Sequence, residues 1–280
     1  MQALRVGVVG AGGIARARHI PSFQKNTNVA LVAVADVSTE ALERVKSEFD
    51  VPTTYTDYRE MFDKERLDAV VVCTPNKFHA PVTIAALRQG MHVLCEKPMA
   101  LNAEEGRAMV QAAQEAGKIL TIAFHYRHKG ACRSARRVVE AGELGDIYMV
   151  RVLALRRRGI PSWGSFTNKE MQGGGALVDY GVHLLDLALW LIGNPQVVEV
   201  TGVTSQRLGT RPNVNPWGEW DYENFQVEDH AAAFIRFADG KAMQLEASWA
   251  LNIAESVENV SISGTEGGLD VFPFLSLIHI

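Results

Sequence analysis

The sequence predicts an α/β chain in two parts: a doubly wound parallel sheet, then an α+β domain with a largely antiparallel, open sheet. Three observations carry that expectation. Over residues 1–124, short runs of Val, Ile and Leu alternate with helix-like segments. The first of those runs ends in a glycine-rich turn, and beyond residue 124 the texture changes to longer alternating strands around an apolar helix. A chain of 280 residues is also long for one core.

The first part reads as follows. "LRVGVVG" (4–10), "VALVAVAD" (29–36), "LDAVVVCT" (67–74), "MHVLCE" (91–96) and "ILTIAFH" (119–125) are near-continuous apolar runs. Such runs fit strands covered on both faces, as in a parallel sheet. Helices are expected near 14–25, 38–49, 78–89 and 103–116, with a shorter one over "TDYREMF" (56–62). The helix at 103–116 stops at Gly117, where a C-terminal cap belongs. In the second part (125–280) a helix at 129–141 ends before Gly142 and "DIYMVRVLALRRR" (146–158) alternates as a strand. A helix follows at 175–192, then strands at 196–205, 229–237, 241–250 and 257–263, with "FADGKA" as a hairpin turn. Residues 207–227, rich in Pro, Asn and Trp, read as a long loop.

Composition narrows the functions. With 47% hydrophobic residues, 21% charged and a net charge of −4, the chain has no field for nucleic acid or an anionic membrane. Arg156, Arg157 and Arg158 are the densest basic cluster and read as a solvated strand end. The chain starts directly on a strand without a basic-then-apolar leader, and no apolar run would span a bilayer. Cys73, Cys95 and Cys132 lack metal-like spacing and read as reduced thiols, so a cytoplasmic protein is expected.

"VGVVGAGGIA" places Gly10-x-Gly12-x-x-Ala15, with Gly13 and Ile14 between, directly after a strand and at the start of a helix. The first glycine permits the tight turn, and the second lets backbone N–H groups approach a pyrophosphate. The third small residue allows close helix–strand packing, and the helix N-terminus faces the phosphates. Asp36 ends the next strand, 21 residues beyond Ala15. A carboxylate there accepts bonds from ribose hydroxyls and repels a 2′-phosphate, so the expected cofactor is NAD rather than NADP. Glu96, Lys97 and Pro98 follow a central strand at its carboxyl end, where open α/β sheets bind ligands. A lysine there can stabilise developing alkoxide charge, although taken alone it reads as a surface residue.

"GGGALVDYGVHLLDLALW" (173–190) holds Asp179, His183 and Asp186 at i, i+4 and i+7 on an otherwise apolar helix. That spacing makes one stripe, and burying it costs free energy unless partners or a cleft receive it.

These segments together, with "CTPNKFHA" and "CEKPMA", resemble the Gfo/Idh/MocA oxidoreductases, the glucose–fructose oxidoreductase and inositol dehydrogenase group, over residues 4 to about 270. The resemblance implies a Rossmann domain and a second α/β domain whose sheet serves as a homodimer or homotetramer face. It implies Lys97 as the lysine of the Glu-Lys-Pro motif, and Asp179 and His183 as the Asp-xxx-His pair. His183 is then the candidate base, and Asp179 either orients it or binds a neighbouring hydroxyl. Asp186 has no family role and reads as a satisfied structural carboxylate. The implied chemistry is NAD-dependent hydride transfer at a secondary hydroxyl of a sugar, cyclitol or anhydrosugar, with no metal.

Thr74, Pro75, Asn76 and His79 are expected beside the cofactor, with His79 equally readable as a helix-start residue. Tyr126, Arg127, Arg156 and Trp163 are expected to touch substrate, with ordinary core packing as the competing reading for Trp163. Relatives usually continue past "ISGTEGGLDVF" with further strands and a helix. Residues 275–280 look more like translated adapter sequence, so an incomplete second domain is expected. Two rival functions fit the same fold: NAD-dependent glycoside cleavage without net oxidation, and a regulator that senses dinucleotide or sugar without chemistry.

Overall fold

In a computed structural model, which describes residues 2–213 and 215–278, the chain forms two compact units. The first ends at Ala123 and the second starts at Phe124, one residue before the expected boundary.

The first unit has strands β1 (Leu4–Val9), β2 (Val29–Ala35), β3 (Thr53–Tyr55), β4 (Ala69–Val72), β5 (His92–Cys95) and β6 (Leu120–Ile122). They lie in the order β3-β2-β1-β4-β5-β6, and each neighbouring pair is parallel. The order reverses between β1 and β4, which makes their carboxyl ends the expected ligand crevice. Helices α1 (Ile20–Gln24), α2 (Thr39–Glu48), α3 (Tyr58–Lys64), α4 (His79–Arg88) and α5 (Ala103–Ala116) connect the strands.

Alternate strand residues feed two cores, one on each face of the sheet. Val6, Val8, Val34 and Val71 pack with Ile20 and Leu42 on one side. Val9, Ala33, Val70 and Val72 pack with Met61, Leu87 and Met109 on the other. This double covering is why the strand sequences are apolar without alternation. The helix caps follow local chemistry: Ser38, Asp57 and Asn102 accept first-turn N–H groups, and Gly117 closes α5 at φ 61°.

The second unit has α6 (Gly130–Glu140), β7 (Ile147–Leu155), α7 (Lys169–Gln172), α8 (Val182–Leu191), β8 (Val197–Ser205), β9 (His230–Phe237), β10 (Ala242–Ser248), β11 (Val257–Gly264), β12 (Gly267–Asp270) and β13 (Leu275–Ile278). The sheet order is β13-β12-β11-β7-β10-β9-β8, antiparallel except for the β7–β10 pair. Leu184, Leu187, Ala188 and Leu191 of α8 pack on Val150, Val152, Leu245 and Val260 of the sheet.

Four departures from expectation have local causes. Strand β3 reads Thr-Thr-Tyr, an edge segment with no apolar run. Four-residue α7 is too short to show periodicity. The helix expected at 175–192 opens with a π-helical turn, Leu177–Gly181, before regular α8. Residues 275–278, where translated adapter sequence and no strand is expected, pair antiparallel with β12; residues 279 and 280 lie outside the described residues. Among the described residues no helix is long and apolar enough to cross a membrane.

Candidate functional site

In the first unit the glycine-rich turn follows β1. Gly10 adopts φ 100°, and a Cβ there would stand 2.5 Å from the Cys73 carbonyl oxygen. The protein's own packing therefore demands glycine at this position. Gly12 differs: a Cβ there, or at Gly13, would meet nothing within 4 Å. Nothing inside the described fold forbids a side chain at Gly12, so the bare backbone serves whatever approaches from outside. Ala15 is fully buried at the start of a π-helical turn, Ala15–His19, that leads into α1, as close helix–sheet packing requires, while Ile14 is exposed.

Asp36, at the end of β2, accepts hydrogen bonds from the Ala11 N–H (2.7 Å) and the Ser38 N–H (2.8 Å). Its carboxylate thus ties the turn to the strand end and keeps capacity for further donors. Beyond β4, the buried Thr74 Oγ1 has no hydrogen-bond partner among the described residues. An open glycine cradle, an anchored carboxylate at the next strand end and an orphaned hydroxyl beside the switch point fit a dinucleotide.

His79 and Glu96 are both held by partners within the first unit. His79 is 1% exposed, its Nδ1 lying 2.7 Å from the Pro98 carbonyl and its Nε2 2.9 Å from that of Thr74. Burial lowers its pKa, partly opposed by those two carbonyls. Lying between these two carbonyls, the ring braces the loop after β4 against the Glu96–Pro98 loop. Pro75 and buried Asn76 open the turn ahead of it.

Glu96 lies 2.7 Å from His19 Nε2 and accepts the Lys97 N–H at 3.2 Å. Burial alone would push its carboxyl up, but the His19 bond and charge overcome this and hold it below the usual range. His19, on the helix after the glycine turn, thereby positions the loop that carries Lys97. No local pattern marks it in the sequence.

In the second unit Glu228 caps the polar helix. Its carbonyl accepts the Ala176 N–H (3.0 Å) and its carboxylate the Leu177 N–H (3.1 Å). The approach is close enough that a Cβ at Gly175 would stand 2.0 Å from the Glu228 oxygen, which explains the glycine run. Asp179 lies within the π-turn and accepts the indole N–H of fully buried Trp249 at 3.0 Å. Such turns frequently mark functional positions in helices.

The His183 ring packs at 5.0 Å from that of His125 and 5.6 Å from that of Tyr126. Burial, with the Glu258 carboxylate beside it, pushes the Tyr126 phenol far up. The Tyr180 phenol donates to Glu258 at 2.8 Å and is shifted the same way, burial again leading. Both phenols remain donors at any physiological pH.

The polar stripe is therefore divided among separate partners. Asp186 receives a bidentate guanidinium from Arg127, and burial pushes its carboxyl up despite that cation. Arg127, expected at the substrate, makes this pair with a side chain that stays partly exposed. Tyr126 is 6% exposed, with its phenol against Glu258, and forms a wall beside His183 instead of reaching out. Arg156 is held without a carboxylate among these contacts: its guanidinium lies 4.3 Å from the Tyr180 ring and 5.0 Å from Trp217, and it donates to the Gly159 carbonyl. Trp163 is 55% exposed. Arg157 and Arg158 bond carbonyls of residues 251–253, so the basic cluster fastens a loop.

A cavity of about 590 Å³ lies elsewhere, lined by Arg5, Phe62, Arg66 and Asp68 at the amino ends of β1 and β4, away from the ligand-binding strand ends. Among the described residues no three His, Cys, Asp or Glu side chains converge as a metal ion requires. The three cysteines are buried thiols, with Cys95 pushed by burial up to about 12.

The Gly12 geometry makes a prediction. Gly12→Ala should leave the unfolding temperature within about 2 °C while raising the Kd for NADH at least about tenfold, because the new methyl meets nothing in the fold and would obstruct a pyrophosphate approaching the turn. Calorimetric titration beside thermal melts checks it, and an unchanged Kd would remove the turn from nucleotide binding.

Comparison with known proteins bears on both units. Residues 4–124 match the family model described as "Oxidoreductase family, NAD-binding Rossmann fold", and residues 132–270 match the "GFO/IDH/MocA C-terminal domain". The chain is 40% identical to D-glucoside 3-dehydrogenase of Escherichia coli K12, over 96% of this chain and 77% of that protein. It is 29% identical to levoglucosan dehydrogenase of Pseudarthrobacter phenanthrenivorans, over 96% and 73%. A solved structure of levoglucosan dehydrogenase with NADH and levoglucosan superposes with a TM-score of 0.81 at 28% identity, covering 96% of this chain and 73% of that one.

Proposed function

The chain belongs to the Gfo/Idh/MocA family of NAD-binding oxidoreductases, and from that premise we propose that it oxidises the 3-hydroxyl of a D-glucopyranoside, or reduces the corresponding ketone. It is an oxidoreductase with NAD as its cofactor. The choice of ring position rests on the 40% identity to a D-glucoside 3-dehydrogenase. The observation that carries the chemistry is the Asp179–His183 helix, whose other acid, Asp186, is already neutralised by Arg127.

Bound NAD supplies the hydride acceptor. The open backbone at Gly12 and Gly13 holds the pyrophosphate, and Asp36 takes the adenosine ribose hydroxyls. Lys97 donates a hydrogen bond to the reacting oxygen and stabilises alkoxide charge as it develops. His183 takes the hydroxyl proton on a ring nitrogen, and the Tyr126 and His125 rings pack against its plane. Asp179, anchored by the Trp249 indole, binds the neighbouring hydroxyl. Arg156 offers its remaining donors to the sugar.

Association into a homodimer or homotetramer is part of the same reading. Strand β8 is an edge strand exposed along almost all its length, with Val198, Val200 and Val203 more than half exposed. An unprotected edge of that kind favours a second copy.

The test is a panel of methyl D-glucosides, glucose, levoglucosan and myo-inositol with NAD, followed at 340 nm, with the ketone located by NMR. The expected result is NADH formation with glucosides and a carbonyl at position 3. Oxidation confined to inositol would overturn the substrate class. Glycoside cleavage without net NADH would make the rival cleavage reaction correct, and nucleotide binding with no chemistry on any sugar would favour a sensor.

A further inference from the structure

Residues 156–166 are stitched to residues 215–217 around two exposed indoles. The Asn215 side chain mimics a strand partner: its Nδ2 donates to the Ile160 carbonyl (2.7 Å) and its Oδ1 accepts the Ile160 N–H (3.2 Å). Ser162 Oγ donates to the Trp217 carbonyl at 2.8 Å. Any Cβ at Gly159 would stand 3.0 Å from the Trp217 ring and 2.9 Å from Arg156 Cδ, so glycine there lets indole, backbone and guanidinium stack. At the other end of the long loop, the buried Asp229 carboxylate accepts the N–H groups of Arg207, Leu208 and Gly209.

Despite this scaffolding, Trp217 stays 45% exposed and Trp163 55% exposed. Their ring centroids are 5.9 Å apart with planes 33° from parallel, and Phe166 braces Trp163 edge-on at 6.2 Å. Indoles held rigidly in solvent forgo the burial that a tryptophan ordinarily gains, which marks a binding surface. The surface continues toward the catalytic helix: Trp217 lies on Arg156, Arg156 lies on Tyr180, and Tyr180 follows Asp179 in the π-turn.

We propose that Trp163 and Trp217 form a stacking platform for the second pyranose ring of a disaccharide, making the preferred substrate a glycosyl glucoside and not a simple alkyl glucoside. The inference rests on the D-glucoside reading above and adds the substrate's other half. A pyranose presents a flat C–H face and a polar rim. The indole faces take the first, and the Arg156 guanidinium, with donors beyond its Gly159 bond, serves the second. An aromatic platform tolerates either linkage geometry because it reads shape more than hydroxyl position. A basic partner would meet the Arg156 cation, which is held between the Tyr180 and Trp217 rings.

The experiment compares kcat/KM for methyl D-glucoside, cellobiose and maltose in the wild type, Trp217→Ala and Trp217→Leu. The leucine keeps apolar bulk against Gly159 and Arg156 while removing the flat face. Both variants should lose at least about tenfold on the better disaccharide, about 1.4 kcal/mol, and less than about threefold on methyl glucoside. Equal losses on all three sugars, or an unchanged ratio, would overturn the platform. A second readout is independent of turnover: the disaccharide should change wild-type tryptophan emission saturably, with no such change in Trp217→Leu. If no sugar is oxidised, the D-glucoside reading fails, while the titration still decides the platform. Absence of any disaccharide-dependent change, or a shift in oligomeric state with unaltered sugar selectivity, would assign the indoles to a protein contact and refute the proposal.

Discussion

Lys97→Ala should lower kcat/KM for sugar oxidation by about three orders of magnitude, or about 4 kcal/mol of transition-state stabilisation. The ammonium is asked to interact more strongly with an oxygen gaining negative charge than with the neutral hydroxyl, so the loss should fall mainly on kcat. The fold should not suffer. Lys97 is partly exposed, and the loop that carries it is held by other groups: His79 on the Pro98 carbonyl, and Glu96 between His19 and the Lys97 N–H. Thermal melts and NADH titrations on the same preparations separate chemistry from binding and folding. A variant that turns over at the wild-type rate would strip Lys97 of its assignment.

Asp229→Ala should produce the largest stability loss, about 3–5 kcal/mol, seen as a fall of roughly 10 °C in the unfolding transition of the second unit. One carboxylate oxygen, on a residue 1% exposed, accepts three successive backbone N–H groups at 2.6–2.7 Å. Removing it leaves three donors unpaired, that of Gly209 buried, and an unmade buried bond costs more than a made one contributes. The start of the loop bearing Trp217 loses its anchor at the same time. Differential scanning calorimetry checks the magnitude, and a loss under about 1 kcal/mol would mean that the loop re-pairs its N–H groups locally.

The elements with a strong local signal were legible in the sequence. Both-faces-apolar strands, the Gly10 turn with Asp36 at the next strand end, and the cap at Gly117 follow from a few neighbouring residues. What could not be read depends on partners far along the chain. Arg127 and Asp186 are 59 residues apart, and His19 and Glu96 are 77 apart. No spacing rule joins either pair, so Arg127 reads as a substrate ligand and His19 passes unnoticed. The π-turn at Leu177–Gly181 is invisible for a related reason: a 3.6-residue stripe assumes a regular helix, and the extra residue per turn is imposed where Glu228 and the sheet crowd the helix start. Asp186 was legible as a structural carboxylate because a buried charge needs a counter-charge, even before its partner could be named. Trp163 reads from the sequence as a pocket wall or as ordinary core, whereas Trp217 gains meaning only through its contacts with Arg156 and Gly159.

The central claim is that a ring carbinol at position 3 gives up its hydrogen to the nicotinamide under the control of Lys97 and His183. Methyl D-glucoside deuterated at C3, incubated with NAD and the wild-type protein, tests it most directly. The account predicts NADH carrying one deuterium, slower turnover than with the unlabelled glucoside, and loss of both NADH and ketone in Lys97→Ala and His183→Ala. Unlabelled NADH from that substrate, or label transfer that survives both substitutions, would contradict it.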